Sequence, residues 1–383
     1  MRTSHLISLT APATLAPTRG RVGRVIAFVT VSALALLGLV AVASPAQGSI
    51  APGTNGKIVF GQIEPNYGVT INPDGSDEHQ IGPLGSTTCN TWSPDGSKVL
   101  CNVWSEDGVQ PATANPDGSE FKLLNPDLPL DLFCLSWSSE GGRLLCHSEG
   151  TPDSADAGLY TVRSSDAGDL VRVTATPPDS FDDGYGYSPD GSRILFARFD
   201  SEDNGTLFSV QPNGSGALQL SPPGLSVIDL GFFDRVGADW SPNGSRVAFA
   251  AQKLSSGRFT TALFTVKADA SGLRQITRPG LGAISAQWSP NGHLIAFTSC
   301  CRYPEAWVVR PDGTRLREVS ALIERAVSLA PVWSPDSTKL LFNRVSSDGQ
   351  TSLWTATTNG SGLSKLTDTA SLALYAWGTA PAD

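Results

Sequence analysis

Charge is scarce in this 383-residue chain: only 16% of residues are Asp, Glu, Lys or Arg. There is one Met, the initiator, and only four His. Heptads, a strict glycine period and long uninterrupted helical stretches are all missing. Each absence excludes something. Without heptads or a Gly-X-Y period the chain is neither coiled coil nor collagen. With 39 Gly and 27 Pro interrupting it every few residues, a helix-rich enzyme is excluded too. The histidines do not cluster, so a His-ligated transition-metal site cannot be assembled. There is no Gly-x-Ser-x-Gly elbow and no phosphate-binding glycine loop, which argues against a complete prolyl-peptidase-like enzyme. Disorder is excluded by what is present: 40% hydrophobic residues and nine Trp able to anchor a core.

The one long apolar run lies near the start. Arg2, Arg19, Arg21 and Arg24 form a basic lead with no acid, and Val25 to Ala43 carries no charge. Small residues follow at Ala41-Val42-Ala43 and Ser44-Pro45-Ala46. Residues 1–46 therefore read as a secretory signal peptide, the alternative being an uncleaved anchor long enough to span a bilayer. No Cys follows the run to take a lipid, and no paired arginines mark a twin-arginine signal. Without these four arginines the remainder is four charges more negative than the whole chain's −9. Such an acidic surface argues against nucleic acid, and against a membrane unless the anchor is retained.

What is present is a repeat. An aromatic followed by a turn recurs at Trp92-Ser-Pro-Asp-Gly, Trp137-Ser-Ser-Glu-Gly, Tyr187-Ser-Pro-Asp-Gly, Trp240-Ser-Pro-Asn-Gly, Trp288-Ser-Pro-Asn-Gly and Trp333-Ser-Pro-Asp-Ser, with Trp377-Gly378 a truncated seventh copy. In each copy a short strand ends at the aromatic, Pro pre-sets φ in the turn and Gly supplies a left-handed residue. A second apolar strand follows (Val99-Leu-Cys, Ile194-Leu-Phe), then a variable loop, a third strand (Leu159-Tyr-Thr-Val, Leu207-Phe-Ser-Val), a turn such as Asn115-Pro-Asp-Gly, and a short fourth strand. Four short antiparallel strands in each copy make a propeller blade. The repeat begins at Asn55-Gly56-Lys57-Ile58 with a second strand lacking its first, and ends at Leu374-Tyr-Ala-Trp377 with a first strand lacking its second. Joined, they complete one blade. The expectation is an all-β, seven-bladed β-propeller spanning 47–383 as a single domain, closed by pairing the C-terminal strand with the N-terminal one.

The aromatic-Ser-Pro-Asp/Asn-Gly-Ser-Lys/Arg turn and the downstream Asp-Gly-Ser turn resemble the TolB-type, WD40-like propeller repeat over about residues 52–380. The resemblance implies a fold more than an activity, because such propellers serve as binding scaffolds, peptidase gates and occasionally lyases. The TolB protein itself has six blades and an additional N-terminal domain, and this chain departs from both.

Aligning the copies separates the six cysteines. Nine positions after the anchor stand Cys101, Cys146, Phe196, Phe249, Phe297 and Phe342. Three positions before it stand Cys89, Cys134, Gly184, Gly237, Ser285 and Ala330. Two copies thus replace a Phe facing a small residue by two cysteines, which predicts disulfides Cys89–Cys101 and Cys134–Cys146 rather than four buried thiols. Cys300-Cys301 admits a strained vicinal disulfide, two free thiols or an intermolecular link.

The anchor turns and Asp-Gly-Ser turns belong to one face of the ring. The other face receives the loops Trp104 to Pro111, His147 to Gly158, Arg198 to Gly205, Gln252 to Thr261 and Ser299 to Glu305, where function is expected. Candidate binding residues there are Trp104, His147, Asp179, Asp182, Asp183, Cys300, Cys301, Arg302 and Tyr303. The acids admit three readings: solvated loop carboxylates, a glycosidase-like pair, or oxygen ligands for Ca²⁺, for which no EF-hand spacing exists. No catalytic residue, no metal and no cofactor is assigned. The leading expectation is an exported, monomeric, non-catalytic scaffold for a protein or glycan partner. The alternatives are an extracellular polysaccharide lyase or hydrolase using loop carboxylates around the central channel, and a purely structural envelope protein.

Overall fold

The computed structural model describes residues 50–62, 66–106, 108–125, 127, 130–150, 155–228, 237–255, 258–300, 304–320, 327–368 and 375–381. The proposed export segment, residues 1–46, lies outside them.

The described residues form antiparallel sheets. Five have four strands, and a nine-stranded sheet contains two more four-stranded units joined by one extra strand, giving seven blades. We number the blades along the ring and call their strands a to d. The seven a strands are Tyr375–Thr379, Thr87–Trp92, Phe133–Trp137, Phe181–Tyr187, Ala238–Trp240, Gln287–Trp288 and Val327–Trp333. Each touches the a strand of the next blade, and the last touches the first, so they form a closed inner ring. Closure is the expected one: in blade 1 Tyr375–Thr379 pairs with Asn55–Gln62, with Phe60 opposite Tyr375. The Tyr375 hydroxyl donates to the carbonyls of Leu329 and Ala330 in blade 7 at 2.9 and 2.6 Å, fastening the two ends of the ring. Outer d strands such as Lys122–Leu123 and Val171–Arg172 are only two residues long, which leaves little exposed edge for another chain to pair with.

The anchor motif does three jobs. Its aromatic wedges against the preceding blade: the Trp92 indole donates to Ala376 O at 3.4 Å and that of Trp333 to Gln287 O at 3.1 Å. Its Ser closes the turn, as Ser93 Oγ accepts the Lys98 amide at 2.9 Å while donating to Asp95. Its glycine has φ of 71° in blade 2 and 68° in blade 5. In blade 7 Ser337 takes that left-handed place at φ 63°, and its hydroxyl accepts the Asn291 amide of blade 6. The Lys or Arg that ends the motif reaches the Asp-Gly-Ser turn of its own blade: Lys98 to Glu120, Arg143 to Asp169, Arg193 to Gly216 O and Arg246 to Gly272 O. Both turn families therefore share one face, as expected.

Both predicted disulfides are present, between residues directly paired in register, with Cα atoms 3.9 and 3.8 Å apart. A bulge follows Cys89, Cys134 and Gly184 in the a strands, and it sets this register. In blade 5 the bulge is missing, so Ala238 rather than Gly237 faces Phe249. Two expected loops are corrected. Trp104 to Pro111 is a tight hairpin between Val99–Ser105 and Gly108–Ala114. Gln252 to Thr261 lies within two ten-residue strands, Arg246–Ser255 and Arg258–Lys267. Cross-strand pairing absorbed residues whose irregular composition suggested loops. The strand Ser226–Val227, which stitches blade 4 to blade 5, has no counterpart in the other copies among the described residues.

Candidate functional site

On the irregular face, blades 2 to 4 bring several of the candidate residues together. Trp104 ends strand b of blade 2 and is 37% exposed, the largest ring so presented among the described residues. Its position is fixed: its amide donates to Ser86 O at 2.8 Å and its ring lies 5.8 Å from Phe133, tilted by 43°. Phe133 opens strand a of blade 3 and pairs in register with His147 on Arg143–Ser148. Burial pushes the His147 imidazole below its usual range, against the opposing pull of Glu149 and Asp182, so it is mainly neutral at pH 7.

Asp182 corrects the reading of the acids as solvated. Its side chain is fully buried and grips Arg198, Nε to Oδ1 at 2.6 Å and Nη2 to Oδ2 at 2.7 Å. The two residues face each other across strands a and b of blade 4, and Thr176 Oγ1 also donates to Asp182. This bidentate carboxylate raises the Arg198 guanidinium above its usual range. The Arg198 guanidinium lies 5.9 Å from the Phe196 ring on the same face of the sheet, while Phe181 and Phe199, the next pair in register, stack with centroids 4.7 Å apart. Asp183, half-buried, faces Ala197, and Asp179 is exposed with φ 60°. Asp200 accepts the amides of Glu202 and Asn204 and so shapes its own loop. Among the described residues no three His, Cys, Asp or Glu side chains group to hold a metal ion.

Across the ring, Cys300 is disulfide-bonded and half-buried between blades 5 and 6, and its amide donates to Gly282 O at 2.6 Å. Cys301, Arg302 and Tyr303 lie outside the described residues. Beside this loop stands an acid absent from the candidate set. Glu305 is 4% exposed, accepts a hydrogen bond from Ser320 Oγ, and is pushed up to about 7 by burial. Arg344 of blade 7 stabilises its anionic form, and its guanidinium lies 5.2 Å from the Trp354 ring. Arg344 occupies the position that Arg198 holds in blade 4, eleven residues after the anchor, so aligned copies carried that signal. Asp239, also missed, sits on the inner ring directly before Trp240, where other copies hold Thr91, Ser136 or Ala376.

No protein-family model matches the chain, and no curated protein does. Solved structures do match. An oligogalacturonate lyase from Vibrio parahaemolyticus has a TM-score of 0.59 at 13% identity, over 82% of this chain and 90% of that one. The β-propeller domain of the Trilobed protease from Pyrococcus furiosus, described as having an open velcro topology, has a TM-score of 0.59 at 13% identity, over 83% and 97%. TolB from Acinetobacter baumannii has a TM-score of 0.51 at 13% identity, over 87% and 82%. At such identities the likeness is one of fold: this chain is a β-propeller similar to TolB and to propeller domains of a protease and a lyase.

Proposed function

We propose that the chain is an exported propeller whose irregular face binds a protein or glycan partner without catalysing a reaction on it. The observation that supports this most directly is the Trp104–Phe133–His147–Asp182–Arg198 cluster. It presents one exposed aromatic ring on a rigid base and keeps its strongest charges paired with each other. A large ring held in one geometry loses little entropy on binding, the property that makes aromatic residues anchors at interfaces. Asp182, neutralised by Arg198, is poorly placed to act as acid, base or nucleophile. The disulfides and the apolar lead support export.

The test is affinity capture from the native envelope or medium with parent and Trp104→Ala baits. Saturable capture of one partner, lost or weakened at least tenfold by Trp104→Ala, is expected; the loss of a central interface aromatic is worth about 2 kcal/mol or more. Capture indifferent to Trp104, or turnover of a polysaccharide that Asp182→Asn abolishes, would sink the proposal.

A further inference from the structure

Charge is unevenly spread over the anchor-turn face. The fourth residue of the turn between strands c and d has a left-handed φ in all seven blades. In blades 1 to 3 it is an acid, Asp77, Glu120 or Asp169. Each acid pairs with the cation just before the apolar run of strand b, Lys57, Lys98 or Arg143. In blades 4, 5 and 7 it is Gly, which a left-handed φ favours. Blade 6 departs from both. Leu294 stands where the cation would be, and the turn carries Arg315 at φ 54°. The fold gains neither an ion pair nor an unstrained backbone from this arginine.

Arg315 belongs to a patch. Residues 267–275 of blade 5 and 310–318 of blade 6 carry five cations, Lys267, Arg274, Arg310, Arg315 and Arg317, against three acids. The two segments form one surface, because Arg274 Nη2 donates to Asp312 O at 2.6 Å across the seam. Two of the acids, Asp269 and Asp312, accept hydrogen bonds within their own turns. Among the described residues none of the five cations has a carboxylate at ion-pair distance. Two large apolar side chains stand in solvent among them: Leu273 is 41% exposed, and Leu316, between Arg315 and Arg317, is 38% exposed. Leu170 of blade 3 is similarly exposed, but the cations of its turn are paired, Arg143 with Asp169 and Arg163 with Asp166.

Cations beside exposed leucines fit a surface that is anionic outside and apolar beneath, as a bilayer of acidic lipids is. A soluble polyanion would satisfy the charges and leave both leucines in water. The chain's net negative charge does not oppose such contact, because acids more than about 10 Å away are screened at about 0.1 M salt. The N-terminal approach lies on the same side. Gly53 N donates to Pro335 O in the anchor turn of blade 7, and Ala380 N donates to Thr54 O, so the chain enters the ring from the face that carries the patch.

We propose that this patch of blades 5 and 6 rests on the surface of an anionic lipid bilayer and leaves the irregular face pointing away from the membrane. The proposal rests on the patch alone and is independent of the binding role proposed above.

The test is hydroxyl-radical footprinting of the full-length protein mixed with lipid vesicles, read by peptide mass spectrometry at Leu273 and Leu316. Trp104 on the opposite face is the internal reference. The readout is local, so anchoring by the N-terminal apolar run does not mimic it. Vesicles of mixed phosphatidylglycerol and phosphatidylcholine should protect both leucines, phosphatidylcholine alone should not, and Trp104 should stay equally reactive. Arg315→Gly with Arg317→Gln places at the turn the residue that blades 4, 5 and 7 hold. It should raise the lipid concentration for half-protection about twenty-five-fold, at about fivefold per cation. Absence of protection on acidic vesicles, equal protection on both vesicle types, or equal protection of Trp104 would overturn the proposal. So would protection unchanged in the variant, or protection by soluble polyphosphate that acidic vesicles do not match, which would assign the patch to a polyanion.

Discussion

Asp239 gives the sharpest test of how the inner ring is held. Its carboxyl is 2% exposed, and Oδ2 accepts the Trp288 amide of the next blade at 2.7 Å. Burial pushes it up to about 8, with the amides of Trp288 and Trp240 opposing that rise. The folded protein therefore holds a proton on Asp239 at neutral pH that the unfolded chain has released. The unfolded state binds fewer protons between the two values, so stability is full below the unfolded value near 4 and falls as pH rises towards 8. The slope approaches 1.4 kcal/mol per pH unit and flattens above 8, which makes the loss between pH 6 and 9 about 2–3 kcal/mol. At about 2 °C per kcal/mol for a chain of this size, that is a fall of about 5 °C in Tm. Asp239→Asn keeps an acceptor for the Trp288 amide and cannot ionise. The measurement is Tm by intrinsic fluorescence from pH 6 to 9 for parent and variant. Subtracting the two curves cancels other titrating groups, Glu305 included. The difference should grow in the variant's favour by about 5 °C across that range. Parallel curves would refute the assignment of a buried, protonated Asp239.

Two further outcomes follow from the cross-strand pairs. Cys89→Ala with Cys101→Ala removes a bridge between residues 12 apart in sequence, and the urea unfolding free energy should drop by about 3 kcal/mol. An unchanged midpoint would mean that the hairpin is already fixed by its strands. Arg198→Ala strands the buried Asp182 carboxylate and should cost about 3 kcal/mol or more, whereas adding Asp182→Leu should recover part of that loss. A double variant no more stable than Arg198→Ala would show that the carboxylate was never desolvated.

The ring was legible in the sequence because each copy repeats the same local rules. Aromatic anchor, Ser-capped turn, left-handed residue and terminal cation recur in register, so an error in one copy is corrected by the next. The disulfides were legible for the same reason: two positions changed together where the others hold Phe and a small residue. The candidate site was less legible because it consists of departures from the repeat. Asp182 looks like a loop acid in a run of Asp179, Asp182 and Asp183. Only the register that sets it opposite Arg198 reveals a buried ion pair. Trp104 was singled out as a loop residue, yet it is held by a strand and by Phe133. Asp239 was hidden because one polar residue in a short strand looks like the solvent side of an alternating pattern, and in a propeller the inner strand is buried on both faces.

The two faces differ in how their polar groups are engaged, and this difference supports the proposed binding face more directly than loop length does. On the anchor-turn face the acids serve their own turns. Asp74, Asp117, Asp269 and Asp312 are held below the usual carboxylate range by the neighbouring Ser or Thr hydroxyl and amide. The terminal cations bind the adjoining turn, so the same chemistry recurs around the ring, blade 6 with its Leu294 and Arg315 excepted. Among the described residues of the irregular face, the interactions below occur once each. Asp182 with Arg198 spans two strands of blade 4, Glu305 with Arg344 spans blades 6 and 7, and Trp104 rests on a ring from the next blade. A repeat needs none of these to close, and burying charge costs stability that apolar side chains would not. Features that the fold does not require, and that weigh against its stability, are what the binding role proposed for that face would account for.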